Sequence, residues 1–376
     1  MSFPWQIRII DAAGALEGTT MRGGTDGTCG SGCGTIFRLS HDAKGWHEAT
    51  LWSFDLTHGA YPSYPLVGDG SGNLFGATDV GGALGLAYGL YHRAHGWHLR
   101  DLHNFGGGRD GAQPRSSLIL DAHGDLYGTT VSGGTGGSGG GGTVYELIPS
   151  GRGWAEKLLH RFAPYTDGAN PQAPVIFGRN GSLYGTTTGG GNQACAAGCG
   201  VVFRLTPNGK GRWTESVLHA FDGTDGASPV AGLVADPAGN LYGSTNEGGH
   251  SGCYAGCGVL FELTRTPHGR WSFGIIHYFM VKTGGGPSGN MTFDSAGNLY
   301  GSTVIGGNVN ACPQQLGCGV VFKLEPESNH RWKYSVLHVF NNSPDGALPS
   351  GVVMSANGKL YGTTIGGGSL GLGAVL

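Results

Sequence analysis

The sequence is poor in charge. Only 12% of its residues are Asp, Glu, Lys or Arg, and the formal net charge is −3 over 376 residues. No basic stripe is present to neutralise phosphates, so nucleic acid is not an expected partner. No apolar run approaches the roughly 20 residues of a membrane-spanning helix. The amino terminus, Met1-Ser2-Phe3-Pro4, has neither a basic region nor an apolar stretch, and no signal peptide is read there. Also missing are a nucleophile elbow, a phosphate-cradling loop and a cluster of metal ligands, so neither metal nor cofactor is expected.

What abounds is glycine, 77 residues of 376, without the three-residue period of collagen. It clusters around one phrase, Leu241-Tyr242-Gly243-Ser244-Thr245 followed by Gly248-Gly249, and near-copies run from end to end. The glycine of the phrase falls at Gly18, Gly76, Gly128, Gly185, Gly243, Gly301 and Gly362, giving steps of 58, 52, 57, 58, 58 and 61 residues. Seven copies at such a period mean a repeat architecture. No composition break marks a boundary, so a single domain over residues 1–376 is expected.

Each repeat reads as four short strands. The first runs from a Pro to an Asp, as from Pro4 to Asp11, Pro62 to Asp69, Pro114 to Asp121, Pro229 to Asp236 and Pro287 to Asp294; Pro171 to Gly178 and Pro349 to Ala356 are variants. A Gly- and Asn-rich turn leads to the Leu-Tyr-Gly-Thr-Thr strand. A glycine-rich loop then opens a third strand such as Gly200-Val201-Val202-Phe203-Arg204-Leu205. The fourth begins at Trp46, Trp97, Trp154, Trp213, Trp271 or Trp332, with a Phe eight residues later in all six, which period-two spacing places on one face. Four antiparallel strands repeated seven times predict an all-β, seven-bladed β-propeller, with the Pro-to-Asp strand innermost. The last blade ends at Gly373-Ala374-Val375-Leu376, the opening of a third strand, so it is expected to be three-stranded. Either packing between blades one and seven closes the ring, or a longer array continues beyond this chain.

The eight cysteines fall in four local pairs, Cys29/Cys33, Cys195/Cys199, Cys253/Cys257 and Cys312/Cys318. A tight loop brings such α-carbons within the ~4.4–6.8 Å that a disulfide needs. Zinc is the rival reading, but the pairs sit in different repeats with no His at ligand spacing beside them. Disulfides imply an oxidising, extracytoplasmic setting, and hence an export signal outside this sequence.

The combined motif, Leu-Tyr-Gly-Thr-Thr-x-x-Gly-Gly, then Gly-x-Val-Phe-x-Leu, then Trp-x5-Leu-His-x-Phe-x4-Asp-Gly-Ala-x-Pro, resembles the bacterial tandem repeat called GloVer. That repeat is found in choice-of-anchor tandem-repeat proteins. The resemblance covers nearly the whole chain, from Pro4 to Leu376, and implies an extracellular or cell-surface location rather than an activity. No anchor is read at the carboxy terminus, where the pattern of those proteins would place one.

In a repeat protein, recurring residues are first read as structural. His103, His160, His219, His277 and His338 share one position, with Trp52 in the first repeat, and are expected to bond between blades rather than to serve as bases. Asp110, Asp167, Asp225 and Asp345 each open Asp-Gly-Ala-x-Pro and are read as turn caps, with calcium ligation as the weaker alternative.

Rule-breaking residues carry the functional expectations. The residue after the inner Pro is Trp5, Ser63, Arg115, Gln172, Val230, Ser288 or Ser350, and should sit near the channel mouth. Trp5, Arg115 and Gln172 offer a flat apolar face, a bidentate cation and an amide, the equipment for a sugar ring and a polar substituent. Tyr61, Tyr64, Arg109, Tyr165 and Asn290 would extend that site; the bland alternative is ordinary rim residues. Glu17 stands where other repeats have Tyr or Phe75, and is expected to pair with Arg8, a general acid being the sharper alternative. His92, His98 and Lys282 also break the pattern. Three readings follow: a polysaccharide- or cell-surface-glycan-binding propeller, a polysaccharide lyase using Arg115 against a uronate, or a structural interaction module.

Overall fold

The structure, a computed structural model, describes residues 4–376 apart from 12, 26–27, 135–139, 152, 164–165, 210, 251, 267 and 329–330, and the side chains of residues 4–8 are not described. The chain is an all-β propeller of four-stranded antiparallel blades, and its residues group into two compact units, Met1–Ala163 and Pro164–Leu376.

The first unit holds blades one to three. Blade one is Pro4–Ile10, Leu16–Thr20, Thr35–Asp42 and Gly45–Ser53; blade two is Val67–Gly68, Leu74–Thr78, Leu86–Arg93 and Gly96–Asn104; blade three is Ile119–Leu120, Leu126–Thr130, Thr143–Ser150 and Gly153–Arg161. In the second unit, blade four is Ile176–Phe177, Leu183–Thr187, Val201–Pro207 and Trp213–Ala220, and blade five is Val234–Ala235, Leu241–Thr245, Val259–Arg265 and Trp271–Tyr278. Blade six splits its inner strand into Gly285–Pro287 and Thr292–Phe293, ahead of Leu299–Ile305, Val320–Pro326 and Trp332–Val339.

The propeller has six blades rather than the expected seven, and in place of a three-stranded seventh blade stands a two-stranded sheet of Ala347–Met354 and Leu360–Gly366. Its expected third strand is reduced to a bridge between Thr363 and Val375, with the Ala374 N–H donating to Thr364 Oγ1 at 2.9 Å. The inner strands are also shorter than the Pro-to-Asp span: in blades two to five only two residues pair with the second strand. Carbonyls of the preceding stretch are instead taken by hydroxyls of the neighbouring blade. Thr19 Oγ1 donates to the Tyr64 carbonyl at 3.4 Å, and Thr186 Oγ1 reaches the Pro229 and Ala231 carbonyls at 3.3 and 3.4 Å.

The glycine of the repeat phrase is explained by close approach rather than by turning. It pairs across the ladder with the third-strand aromatic, as Gly243 does with Phe261 and Gly128 with Tyr145. The ring lies over it, so that a β-carbon on Gly128 would stand 2.4 Å from the Tyr145 hydroxyl. The second Thr of the phrase is structural in all seven copies: its hydroxyl donates to the carbonyl two residues on, from Thr20 to Arg22 at 2.7 Å through Thr364 to Gly366 at 3.1 Å.

The fourth strand departs from simple alternation. In each of the six complete blades it carries a bulge, one extra residue (Leu51, Leu102, Leu159, Leu218, Ile276 or Leu337) beside the His or Trp52 position. One extra residue reverses which face the rest of the strand presents. The expected sharing of one face by Trp and Phe is therefore wrong. In blades three, five and six the Trp packs back on the preceding blade, as Trp271 on Tyr184 and Trp332 on Tyr242, at 5.7 and 5.6 Å between ring centroids. The Phe lies just past the strand and packs forward, as Phe105 on Tyr145 and Phe221 on Phe261, at 5.0 and 5.2 Å. All six of these Phe side chains are fully buried, each contributing about 1.5–3 kcal/mol of hydrophobic stabilisation. The cysteines form four disulfides, Cys29–Cys33, Cys195–Cys199, Cys253–Cys257 and Cys312–Cys318, as expected.

Candidate functional site

In five repeats the inner stretch is entered through a non-glycine residue held in the left-handed region just before its proline. Tyr61, Gln113, Asn170, Ser228 and Leu348 have φ of 58°, 57°, 56°, 54° and 58°. The strain serves a bond: the Tyr61 N–H donates to the Cys33 carbonyl at 2.8 Å, and Ser228 to Cys199 at 2.9 Å, tying blade two to blade one and blade five to blade four. Tyr61 packs against the core around Cys33, Phe54 and Ala60.

This entry fixes where Tyr64 and Arg115 stand in the first unit. Asp79, the residue after the second strand of blade two, lies with its Oδ2 3.3 Å from Arg115 Nε. The equivalent residues elsewhere are Met21, Val131, Thr188, Asn246, Val304 and Ile365, so Asp79 is the one acid in that column. Reading the column would have found it; attention to the residue after the proline alone did not.

The Asp79 side chain is only 15% exposed and Arg115 38%. Burial pushes the Asp79 carboxyl above the ordinary range, and the Arg115 guanidinium partly offsets it. Tyr64 is raised too, by burial first and then by the Asp79 charge. Among the described residues, Asp79 Oδ1 and Arg115 Nε are buried without a hydrogen-bond partner. The result is a nearly neutral polar centre with unused bonding capacity, adjoining the inner stretches of blades two and three.

The other expected site residues fall elsewhere. The Trp5 backbone pairs with Thr19, but its side chain lies outside the described residues, as does Tyr165. Gln172, in the second unit, donates from Nε2 to Thr188 Oγ1 at 3.3 Å. Asn290 packs its Oδ1 against Gly232 of the neighbouring blade. Arg109 is exposed, and its carbonyl accepts from Arg161 Nε at 3.2 Å. His92 and His98 are exposed, His92 edge-on to Trp97 at 4.8 Å, and Lys282 is exposed as well.

Glu17 is buried and pairs with Arg38 of the third strand at 3.5 Å, and Arg38 also contacts Asp11. Arg8 does not lie across from it. A shift in register puts Ile9 opposite Glu17, and the Arg8 side chain lies outside the described residues. Burial raises the Glu17 carboxyl, with Arg38 opposing.

The repeated histidines bond within their own blade as well as between blades. His219 and His338 meet the Asp of their own loop, Asp225 at 2.8 Å and Asp345 at 3.0 Å, while His219 also stacks on Phe273 of the next blade at 3.6 Å. The loop aspartates cap turns as expected: Asp225 Oδ1 accepts the Asp222 N–H and Asp345 Oδ1 the Asn341 N–H. Among the described residues no group of three His, Cys, Asp or Glu is arranged to hold a metal ion.

A family model described as the Gloeobacter/Verrucomicrobia repeat matches residues 4–256. The chain belongs to the Gloeobacter/Verrucomicrobia repeat family. No curated protein matches it. Among solved structures, this member of the Gloeobacter/Verrucomicrobia repeat family is similar to the periplasmic gluconolactonase of Pseudomonas aeruginosa, at 14% identity and a TM-score of 0.55, with 100% of this chain and 94% of that one covered. A provisionally named 6-phosphogluconolactonase of Bacteroides uniformis aligns at 16% identity and a TM-score of 0.57, covering 90% and 87%. An ancestral GH74 enzyme aligns at 12% identity and a TM-score of 0.61, covering 98% of this chain but 47% of its own. At such identities the likeness is one of fold.

Proposed function

We propose that this chain is an extracytoplasmic carbohydrate-binding propeller whose ligand engages Arg115, Asp79 and Tyr64. The observation that carries the reading is the half-buried Asp79–Arg115 pair with a carboxylate oxygen and a guanidinium Nε left unbonded among the described residues. Buried polar atoms without partners are costly, and a ligand with closely spaced hydroxyls supplies both the donors and the acceptors. The pair is close to neutral overall, which suits a neutral sugar. Trp5 remains a candidate for the same ligand through an apolar face, and Gln172, in the second unit, a candidate sugar contact of its own through its amide.

The lyase reading finds less support. A uronate needs a free cation, and Arg115 already has Asp79 as its counter-ion. A general base works best near the operating pH, whereas burial and Asp79 push Tyr64 upward, away from it. The four disulfides support an oxidising compartment. The structural neighbours named for sugar chemistry, a gluconolactonase and a GH74 enzyme, are compatible with a carbohydrate ligand.

The test is a panel of neutral and acidic polysaccharides, following binding by calorimetry and new unsaturated ends by absorbance. Neutral-glycan binding that weakens about tenfold in Asp79→Asn and Arg115→Ala supports the proposal. Unsaturated product that disappears in Arg115→Ala replaces it with the lyase, and silence on every glycan leaves a structural module.

A further inference from the structure

The turn between first and second strands offers an independent site in the second unit. In blades three, five and six the Tyr of the repeat phrase donates its hydroxyl to the turn Asp: Tyr127 to Asp121 at 3.3 Å, Tyr242 to Asp236 at 3.4 Å and Tyr300 to Asp294 at 3.0 Å. Blade four breaks this rule, with Gly178 in the place of the Asp. The Tyr184 ring occupies the space instead, its Cε2 2.1 Å from where a β-carbon on Gly178 would stand. Beside it opens a cavity of about 210 Å³, lined by Phe177, Tyr184, Arg179, Arg265, Asp236 and Pro237 among others.

The polar lining of that cavity is a set of donors. Arg179 is pinned by bonds from Nη2 to the Pro237 and Ala238 carbonyls, at 3.3 and 2.8 Å. Arg265 is held over the Trp271 ring at 5.5 Å. Neither contact uses an anion, and among the described residues neither guanidinium forms an ion pair. The one carboxylate in the wall is engaged already: Asp236 accepts from the Asn240 N–H and Nδ2, both at 2.8 Å, and from Tyr242. Two positioned cations and a tyrosine without its usual acid partner thus face a space the size of one small ring, with Phe177, 40% exposed, as an apolar wall.

We propose that this cavity binds a hexuronate. Its carboxylate would lie against Arg179 and Arg265, supplying the anion that blade four lacks, and its ring against Phe177 and Tyr184. The proposal does not rest on the Arg115 site, which lies in the other unit.

The probe is D-glucuronate at roughly 10 mM, followed by saturation-transfer NMR and calorimetry, with D-glucose and benzoate as comparisons. Millimolar binding of glucuronate, with glucose silent, is expected, weakening about tenfold in Arg265→Gln and in Arg179→Gln and unchanged in Lys282→Gln, an exposed cation outside the cavity. Arg179 links two blades; if Arg179→Gln lowers the melting temperature, Arg265→Gln, whose side chain bonds no other blade among the described residues, decides. Absence of transfer to glucuronate, equal binding of glucose, preference for benzoate, or unchanged affinity in Arg265→Gln each overturns the proposal.

Discussion

The Cζ of Phe261 lies 2.3 Å from the point where a β-carbon on Gly243 would stand. A methyl group at that position forces the ring, which is fully buried, to move against its neighbours. Gly243→Ala should therefore cost about 1–3 kcal/mol, the range for overpacking a filled core. Gly153→Ala is the control, since nothing lies within 4 Å of its added carbon. Denaturant midpoints for the two variants check the contrast, and equal midpoints would sink the explanation.

Ser228 offers a gain rather than a loss. Its φ of 54° is uncomfortable for any residue with a side chain. Ser228→Gly removes a penalty of about 1–2 kcal/mol and adds unfolded-chain entropy of roughly 0.5–1, leaving a net stabilisation of about 0.5–1. Urea unfolding measures it directly; a lowered midpoint would contradict the account.

Thr245 tests the hydroxyl that follows the glycine. It donates to the Glu247 carbonyl at 2.9 Å and accepts the Val259 N–H at 3.1 Å. Thr245→Val keeps the shape and takes the hydroxyl acceptor from the Val259 N–H, while the Glu247 carbonyl keeps the Ala227 N–H at 2.8 Å, so a loss of about 1–3 kcal/mol is expected. Thermal melts of this variant and of Thr245→Ser, which keeps the hydroxyl, separate bonding from shape.

Two buried groups give pH dependence of opposite sign. Burial, with Asp110 adding to it, lifts the Glu156 carboxyl to about 7, so the stability of the neutral form is present below the unfolded value and is lost as pH rises toward 7. Burial lowers His277 to about 4; its contribution is present above the unfolded value and is lost as pH falls toward 4. Glu156→Gln should hence stabilise at pH 8 relative to pH 4, and His277→Gln should flatten the acid side of the curve. Stability measured across pH 4–8 for each variant decides, and parallel curves for variant and parent would refute the assignment.

Much of this fold is legible in the sequence because its signals are local and repeated. A recurring phrase, a proline before each inner stretch and paired cysteines each state a backbone requirement that the blades meet. What escapes is the bulge beside the His position, because an inserted residue leaves no mark on composition yet reverses the faces of Trp and Phe. The left-handed entry at Tyr61 or Leu348 is equally silent, since tertiary bonds and not residue preference impose it. At the candidate site Arg115 stands out as a deviation, whereas its partner Asp79 emerges only from comparing the residue after the second strand across all seven repeats. Gly178 was visible as a variant, but the cavity beside it depends on where Tyr184 turns.

Because the bulge turns Phe279 of blade five forward onto Phe322 and leaves its Trp271 packed back on Tyr184, a blade has polarity, like a coupling with one plug and one socket. Any copy can follow any other head to tail, and none can be inserted reversed. Such a chain lengthens by whole-blade gene duplication without new contacts having to be invented, which leaves the loops and turn residues free to diverge blade by blade.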